Sequence, residues 1–210
     1  PVMAQLLRAA INHKDYSNVP SIVYRNDVGI IENERIYVSE DEGFLFPDYS
    51  LVDLGTYLEH NKRFPYITKG FALVESGRGC SYNCTFCSPA KMWNGRVRNR
   101  PVHDIIKEMN FLKYNGFDFI LFTQDNITPS SLELLSTALI QSEIKLSWGC
   151  HARISDLTND LGEKMALAGC KIIFTGFETP NRNEQKCIKK NINRKKSISK
   201  IAFFNSVGIT

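Results

Sequence analysis

The chain has 210 residues, 43% of them hydrophobic, with 26 Lys and Arg against 22 Asp and Glu and a net charge of +4. That is enough apolar material for one sizeable core and a smaller appendage, and the charge is too mild to demand a nucleic-acid partner. No run of about 18 apolar residues occurs and the first residues lack the apolar stretch of a signal peptide, so a protein without a transmembrane segment, resident in the cytoplasm, is expected.

The first part of the chain differs from the rest. Residues 2–10 read as the end of a helix, and residues 21–25 and 28–31, parted by Asn26 and Asp27, as a hairpin that residues 35–38 extend. The Pro-containing segments 46–48 and 64–66 then mark a loop-rich linker, with a short helical stretch at 51–60.

From Val74 onward, short apolar runs alternate with amphipathic stretches, the pattern of repeated βα units around a parallel sheet. A first strand at 71–75 feeds a loop that carries Cys80, Cys84 and Cys87. Spacings of four and three let one loop wrap an iron-sulfur cubane, each thiolate taking one iron and leaving the fourth without a protein ligand. A structural zinc site is the alternative, but it needs a fourth ligand and usually shows paired knuckles, and Cys84 to Cys87 is a single CxxC. Three inert buried thiols form another alternative; beside Gly77, Arg78 and Gly79 they make a poor core segment. The six cysteines form no regular disulfide framework.

A helix follows Pro101, with Val102, Ile105, Ile106, Met109 and Leu112 on one face and Gly116 at its end. The second strand, 118–123, ends in Gln124, Asp125 and Asn126. Thr128 and Pro129 open the next helix, which presents Leu132, Leu135 and Leu139. A third strand spans 144–149. Ser155 or Asp156 is expected to cap a helix lined by Leu157, Leu161 and Met165 and closed by Gly169. The fourth strand, 171–176, leads towards a last helix at 197–207. The basic run from Lys186 to Lys196 reads as a solvated helix face and connecting loop, and without interleaved aromatics it lacks the stacking platform of a single-strand binder. The fold class is therefore α/β, an incomplete (β/α) barrel with about four βα units. In such barrels the active site gathers at the C-terminal strand ends, where the cysteine loop, Asp125, the segment from His151 to Arg153, and Glu178 all fall.

The cysteine loop resembles the signature of the radical S-adenosylmethionine (SAM) enzymes, CxxxCxxC with an aromatic residue before the last cysteine, here Phe86. The resemblance implies a 4Fe-4S cluster on Cys80, Cys84 and Cys87 and reductive cleavage of S-adenosylmethionine to a 5′-deoxyadenosyl radical, with the protein supplying position and exclusion. It implies that Phe86 approaches the adenine, that Asp125 meets the SAM amino group, and that Arg153 meets its carboxylate. Glu178, in the sequence Gly176-Phe177-Glu178-Thr179, would accept hydrogen bonds from the ribose hydroxyls. No catalytic residue is assigned.

The order hairpin, linker and cluster loop is similar to the join between a cobalamin-binding domain and its radical SAM barrel. It implies that residues 1–65 are the tail of such a domain plus linker, and that 66–210 are the first part of a partial (β/α)6 barrel. The chain thus reads as a fragment, with cobalamin bound mainly by a domain outside it. The expected partners are a small-molecule substrate, methylated or oxidatively cyclised, and an electron donor such as a flavodoxin or ferredoxin. An RNA-modifying methylthiotransferase is the alternative within the family, although residues 1–79 lack the further cluster cysteines of such enzymes. A zinc-binding module without catalysis is the alternative outside it.

Overall fold

The structure is a computed structural model that describes residues 2–12, 15–37, 43–60 and 70–210, apart from the His60 side chain. The chain divides into two compact units, Pro1–Glu42 and Gly43–Thr210.

In the first unit, helix α1 (Val2–Ile11) buries Ala9, and strands β1 (Val23–Asn26) and β2 (Gly29–Glu32) form an antiparallel hairpin. Its two-residue turn is closed by Asn26, whose Oδ1 accepts from the amides of Val28 (2.9 Å) and Gly29 (3.1 Å), the local bonding that suits Asn to turns. The expected extension at 35–38 forms no strand among the described residues, and Val38 lies outside them. Ser21 takes over the ladder there, its Oγ accepting from the Ile36 amide at 2.8 Å.

The second unit opens with a 3₁₀ turn at Tyr49–Leu51 and helix α2 (Leu54–His60); the 64–66 segment of the expected linker lies outside the described residues. Four parallel strands then form a sheet in the order β3 (Phe71–Val74), β6 (Phe119–Phe122), β7 (Ser147–His151) and β8 (Cys170–Phe174). Between β3 and β6 come a short antiparallel hairpin of β4 (Gly77–Gly79) and β5 (Val97–Asn99), the six-residue helix α3 (Ser88–Trp93) inside it, and helix α4 (Val102–Tyr114). Helix α5 (Pro129–Gln141) follows β6, α6 (Asn159–Leu167) follows β7, and α7 (Arg182–Cys187) and α8 (Arg194–Ser206) follow β8. The four βα units expected from the alternation are present.

The inner strand β6, Phe-Ile-Leu-Phe, is the apolar run expected of a parallel strand covered by helices, whereas β3 at the sheet's edge keeps Leu73 exposed. Phe119, Ile120, Phe122 and Trp148 are fully buried and pack with Met109, Leu112, Leu132 and Met165 from the helices. The indole N–H of Trp148 donates to the Ala168 carbonyl at 2.8 Å, so its polar atom is satisfied inside the core. Thr210 pairs with the free edge of β8, its amide donating to Lys171 and its carbonyl accepting from Ile173, both at 2.9 Å.

A buried ion pair adjoins this core. Arg100 and Glu108 form an ion pair with side chains 2% and 1% exposed, and the Tyr49 hydroxyl donates to the second oxygen of Glu108 at 2.5 Å. Burial, then the bond to Glu108, pushes the Tyr49 phenol up. Tyr49 also stacks on Phe111 at 5.1 Å, so the segment before the barrel is fastened to α4 by a ring and a hydroxyl.

Among the described residues no helix is long and apolar enough to cross a membrane.

Candidate active site

The cysteine loop hangs from the β4–β5 hairpin. Gly79, with φ +98°, turns the chain so tightly that a Cβ there would stand 2.1 Å from the Arg96 carbonyl oxygen, so only glycine fits. Beneath the turn, Asp125 at the end of β6 accepts from the Gly79 amide at 3.1 Å. Gln124, almost fully buried, bonds Ser76 and Asn99 at 3.2 Å each and locks both ends of the hairpin to the sheet.

Cys80, Cys84 and Cys87 are each half-buried free thiols on one stretch without regular structure. Cys87 ends it by starting α3, and its amide donates to the Cys84 carbonyl at 3.2 Å. The loop is also tied outward, the Thr85 amide donating to Ile188 beyond α7 at 3.1 Å. Burial pushes the Cys80 thiol up; a hydrogen bond from the Tyr82 backbone opposes this, and the nearby Cys84, Cys87 and Asp125 add to it. No three His, Cys, Asp or Glu side chains among the described residues close on a single ion. A cubane does not ask them to, since each thiolate takes a different iron. Three unpaired thiols on one loop are the donor set such a cluster needs.

The other residues singled out in the sequence fall around this loop. Phe86 is 53% exposed on the open side, with the Lys190 ammonium 5.6 Å from its ring centre. The same ammonium pairs with Glu178 at 2.8 Å. Glu178 is held in the left-handed region, at φ +60°, a conformation a non-glycine residue adopts at a cost that surrounding structure must offset. Gly176 makes the room, because a Cβ there would lie 2.4 Å from the Glu178 carboxylate and 2.6 Å from Lys190 Nζ. Arg153, after β7, is 12% exposed and lies 4.3 Å from the Tyr82 ring centre. The ends of β6, β7 and β8 thus deliver Asp125, Arg153 and Glu178 to the cysteine loop's side of the sheet.

Three residues of this rim escape a reading of the sequence. Tyr82 stands inside the first cysteine spacing and hydrogen-bonds Asp156. Lys190 is set between Lys189 and Asn191, both at positive φ. Asp156, expected as a helix cap, is occupied by Tyr82, Arg153 and Ser155; α6 is capped instead by Thr158, whose hydroxyl accepts from Leu161 at 3.2 Å. The aromatic side chain between cysteines and the Arg–Asp spacing of three were the visible signals. The left-handed bracket around Lys190 had none. Elsewhere, Trp93 lies close to Gly79, His103 is exposed beside Asp104, and part of the basic run lines a cavity of 580 Å³ with Phe177 and Thr179.

The sequence model of the radical SAM superfamily matches residues 74–210. The chain belongs to the radical SAM superfamily. Over its curated relatives, it is 23% identical across 210 residues to an uncharacterized methyltransferase of Pyrococcus horikoshii, covering 98% of this chain and 44% of that protein. It is 25% identical across 193 residues to the anaerobic magnesium-protoporphyrin IX monomethyl ester cyclase of a Synechocystis strain, covering 90% of this chain and 37% of the cyclase. Among solved structures, the radical S-adenosylmethionine methyltransferase TsrM of Kitasatospora setae, with cobalamin and a 4Fe-4S cluster bound, superposes with a TM-score of 0.79 at 14% identity, over 99% of this chain and 43% of TsrM. At that identity the likeness is one of fold. The radical SAM chain thus spans under half the length of these relatives.

Proposed function

We propose that this chain is the cluster-binding part of a radical SAM enzyme of the cobalamin-associated branch, acting on a small molecule by methylation or oxidative cyclisation. The observation that supports the reading is three free thiols on one loop whose neighbours Gly79, Tyr82 and Phe86 touch Asp125, Arg153 and the Lys190 that pairs with Glu178. The named relatives, methyltransferases and a cyclase, support the branch.

Cys80, Cys84 and Cys87 would hold a 4Fe-4S cluster. When bound and reduced, such a cluster supplies one electron to the sulfonium of S-adenosylmethionine, whose cleavage gives methionine and a 5′-deoxyadenosyl radical. The electron comes from a donor of the flavodoxin or ferredoxin class. Phe86 offers an exposed ring to the adenine. Glu178 offers a carboxylate, an acceptor only, to the two ribose hydroxyls, and must first release Lys190. Arg153 keeps Nη1 without a partner among the described residues, a donor for the cofactor's carboxylate. Asp125, already accepting from Gly79 through Oδ2, has Oδ1 for the amino group. Residues 1–65 belong on this reading to the tail of a cobalamin-binding domain and its linker, and the protein to the cytoplasm, where thiols stay reduced.

Anaerobic reconstitution tests it. The unsubstituted protein should take up about four irons per chain with brown colour and form 5′-deoxyadenosine from SAM and dithionite. Cys84→Ala should abolish cleavage; a Cys84→Ala protein that cleaves SAM at the unsubstituted rate refutes the assignment. A colourless protein holding one zinc would favour the binding module.

A further inference from the structure

Residues 80–87 carry no helix or strand, so nothing periodic holds them in shape. Ordering a backbone costs conformational entropy at every residue, and a loop that must present three thiols in a fixed array needs an anchor. Phe86 is exposed and does not supply one. Tyr82 is placed differently. Its ring lies under the Arg153 guanidinium at 4.3 Å, and its hydroxyl donates to the Asp156 carboxylate. Arg153 in turn bonds Ser155 Oγ at 3.2 Å, approaches Asp156 at 3.6 Å and donates through Nη2 to the Lys190 carbonyl. Three chain segments therefore meet on one side chain: the cysteine loop, the turn after β7 and the connection between α7 and α8.

We propose that Arg153, Tyr82 and Asp156 form a clasp that holds the cysteine loop in the shape its cluster requires, with Arg153 a positioning residue that acts through Tyr82. The inference rests on the cluster reading above for its purpose, and on geometry alone for its existence. An ordinary ion pair one helical turn apart would be exposed and contribute little. This guanidinium is mostly buried, where a cation over an aromatic face is held more strongly than at an exposed site, and it crosses to two other segments. The Lys190 carbonyl in the clasp also joins Arg153 to the residue whose ammonium pairs with Glu178.

Hydrogen exchange on the full chain before iron loading tests the clasp itself, through the amides of Gly79, Thr85 and Cys87, each hydrogen-bonded in the structure. Arg153→Ala should speed their exchange about tenfold, the factor that about 1.4 kcal/mol makes in a local opening equilibrium, while amides of β6 and β7 hold their rates. Tyr82→Phe, which keeps the ring and loses the hydroxyl, should fall between the unsubstituted protein and Tyr82→Ala. After reconstitution, Arg153→Ala should lose iron to a chelator faster and alter the EPR line shape of the reduced cluster. Unchanged exchange at the three amides in Arg153→Ala, or a Tyr82→Phe protein as loose as Tyr82→Ala, overturns the proposal. An unsubstituted protein that takes up no iron sinks the cluster reading, and the exchange rates then judge the clasp by themselves.

Discussion

Trp148 and Glu178 sit on neighbouring strands' worth of chain, one in the middle of β7 and one just beyond β8, and they are kept in place by opposite means. Trp148 is surrounded by apolar side chains and has its single polar atom paired with a backbone carbonyl. Glu178 stands partly exposed, in a backbone conformation its own Cβ disfavours, against a lysine flanked by two more such residues. The sheet floor is stable because burial is non-directional and cumulative. The rim is specified by directed contacts, each worth little alone, that fix where a few polar atoms point. Substitutions in the two regions should therefore separate stability from binding.

The largest effect belongs to the floor. Trp148→Ala removes a fully buried indole and should lower unfolding free energy by about 3–5 kcal/mol, read as an earlier midpoint in chemical denaturation. A loss under about 1 kcal/mol would mean that the core collapses around the gap. Glu108→Leu comes next and sharpens the contrast, because it replaces a charge inside the floor by an apolar group and still should destabilise. Arg100 would be left buried with no carboxylate, a stranding that typically costs about 3–5 kcal/mol, and Tyr49 would lose its acceptor. The double variant Arg100→Met with Glu108→Leu should recover much of that loss; failure to recover would assign the pair's value to geometry beyond charge.

A smaller effect is expected at the helix starts on the rim side. Thr128 caps α5 and Thr158 caps α6, each hydroxyl accepting from the amide three residues on. Alanine at either should cost about 1 kcal/mol, and the two losses should add, since independent sites do. The midpoints of the single and double variants check both statements.

The floor was legible because periodicity encodes burial. Met109, Leu112, Leu132, Leu135, Leu161 and Met165 recur at helical spacing, and all are buried; the alternation of such stretches with short apolar runs gave the parallel sheet. Thr128 with Pro129 announced α5 to the residue. Elements whose purpose is polar left no such trace. The strands β4 and β5 together are six residues, mostly Gly and Arg, α7 has no apolar stripe, and α8 begins three residues before the expected 197 because Asn193 captures the Lys196 amide. The three thiols were visible because cysteine is chemically specific at short spacing. Lys190 was not, since a lysine inside a basic run looks like any solvated one until the backbone bends it back over Glu178.

The smallest predicted change in stability is the most informative about the rim. Glu178 holds φ +60°, and a left-handed backbone costs a residue with a Cβ roughly 1–2 kcal/mol that glycine does not incur. Against that stands the pair with Lys190, whose carboxylate partner is 39% exposed and so worth under about 1 kcal/mol. Glu178→Gly should consequently leave stability within about 1 kcal/mol of the original, and on the stabilising side if the strain term wins. SAM binding should fall nonetheless by about tenfold or more, the loss of a charged acceptor for two hydroxyls, measured by equilibrium binding to the iron-loaded protein. A variant that is both less stable and unimpaired in binding would invert the contrast: Glu178 would then belong to the floor's kind of residue, held for the fold, and its unusual backbone would have no ligand to explain it.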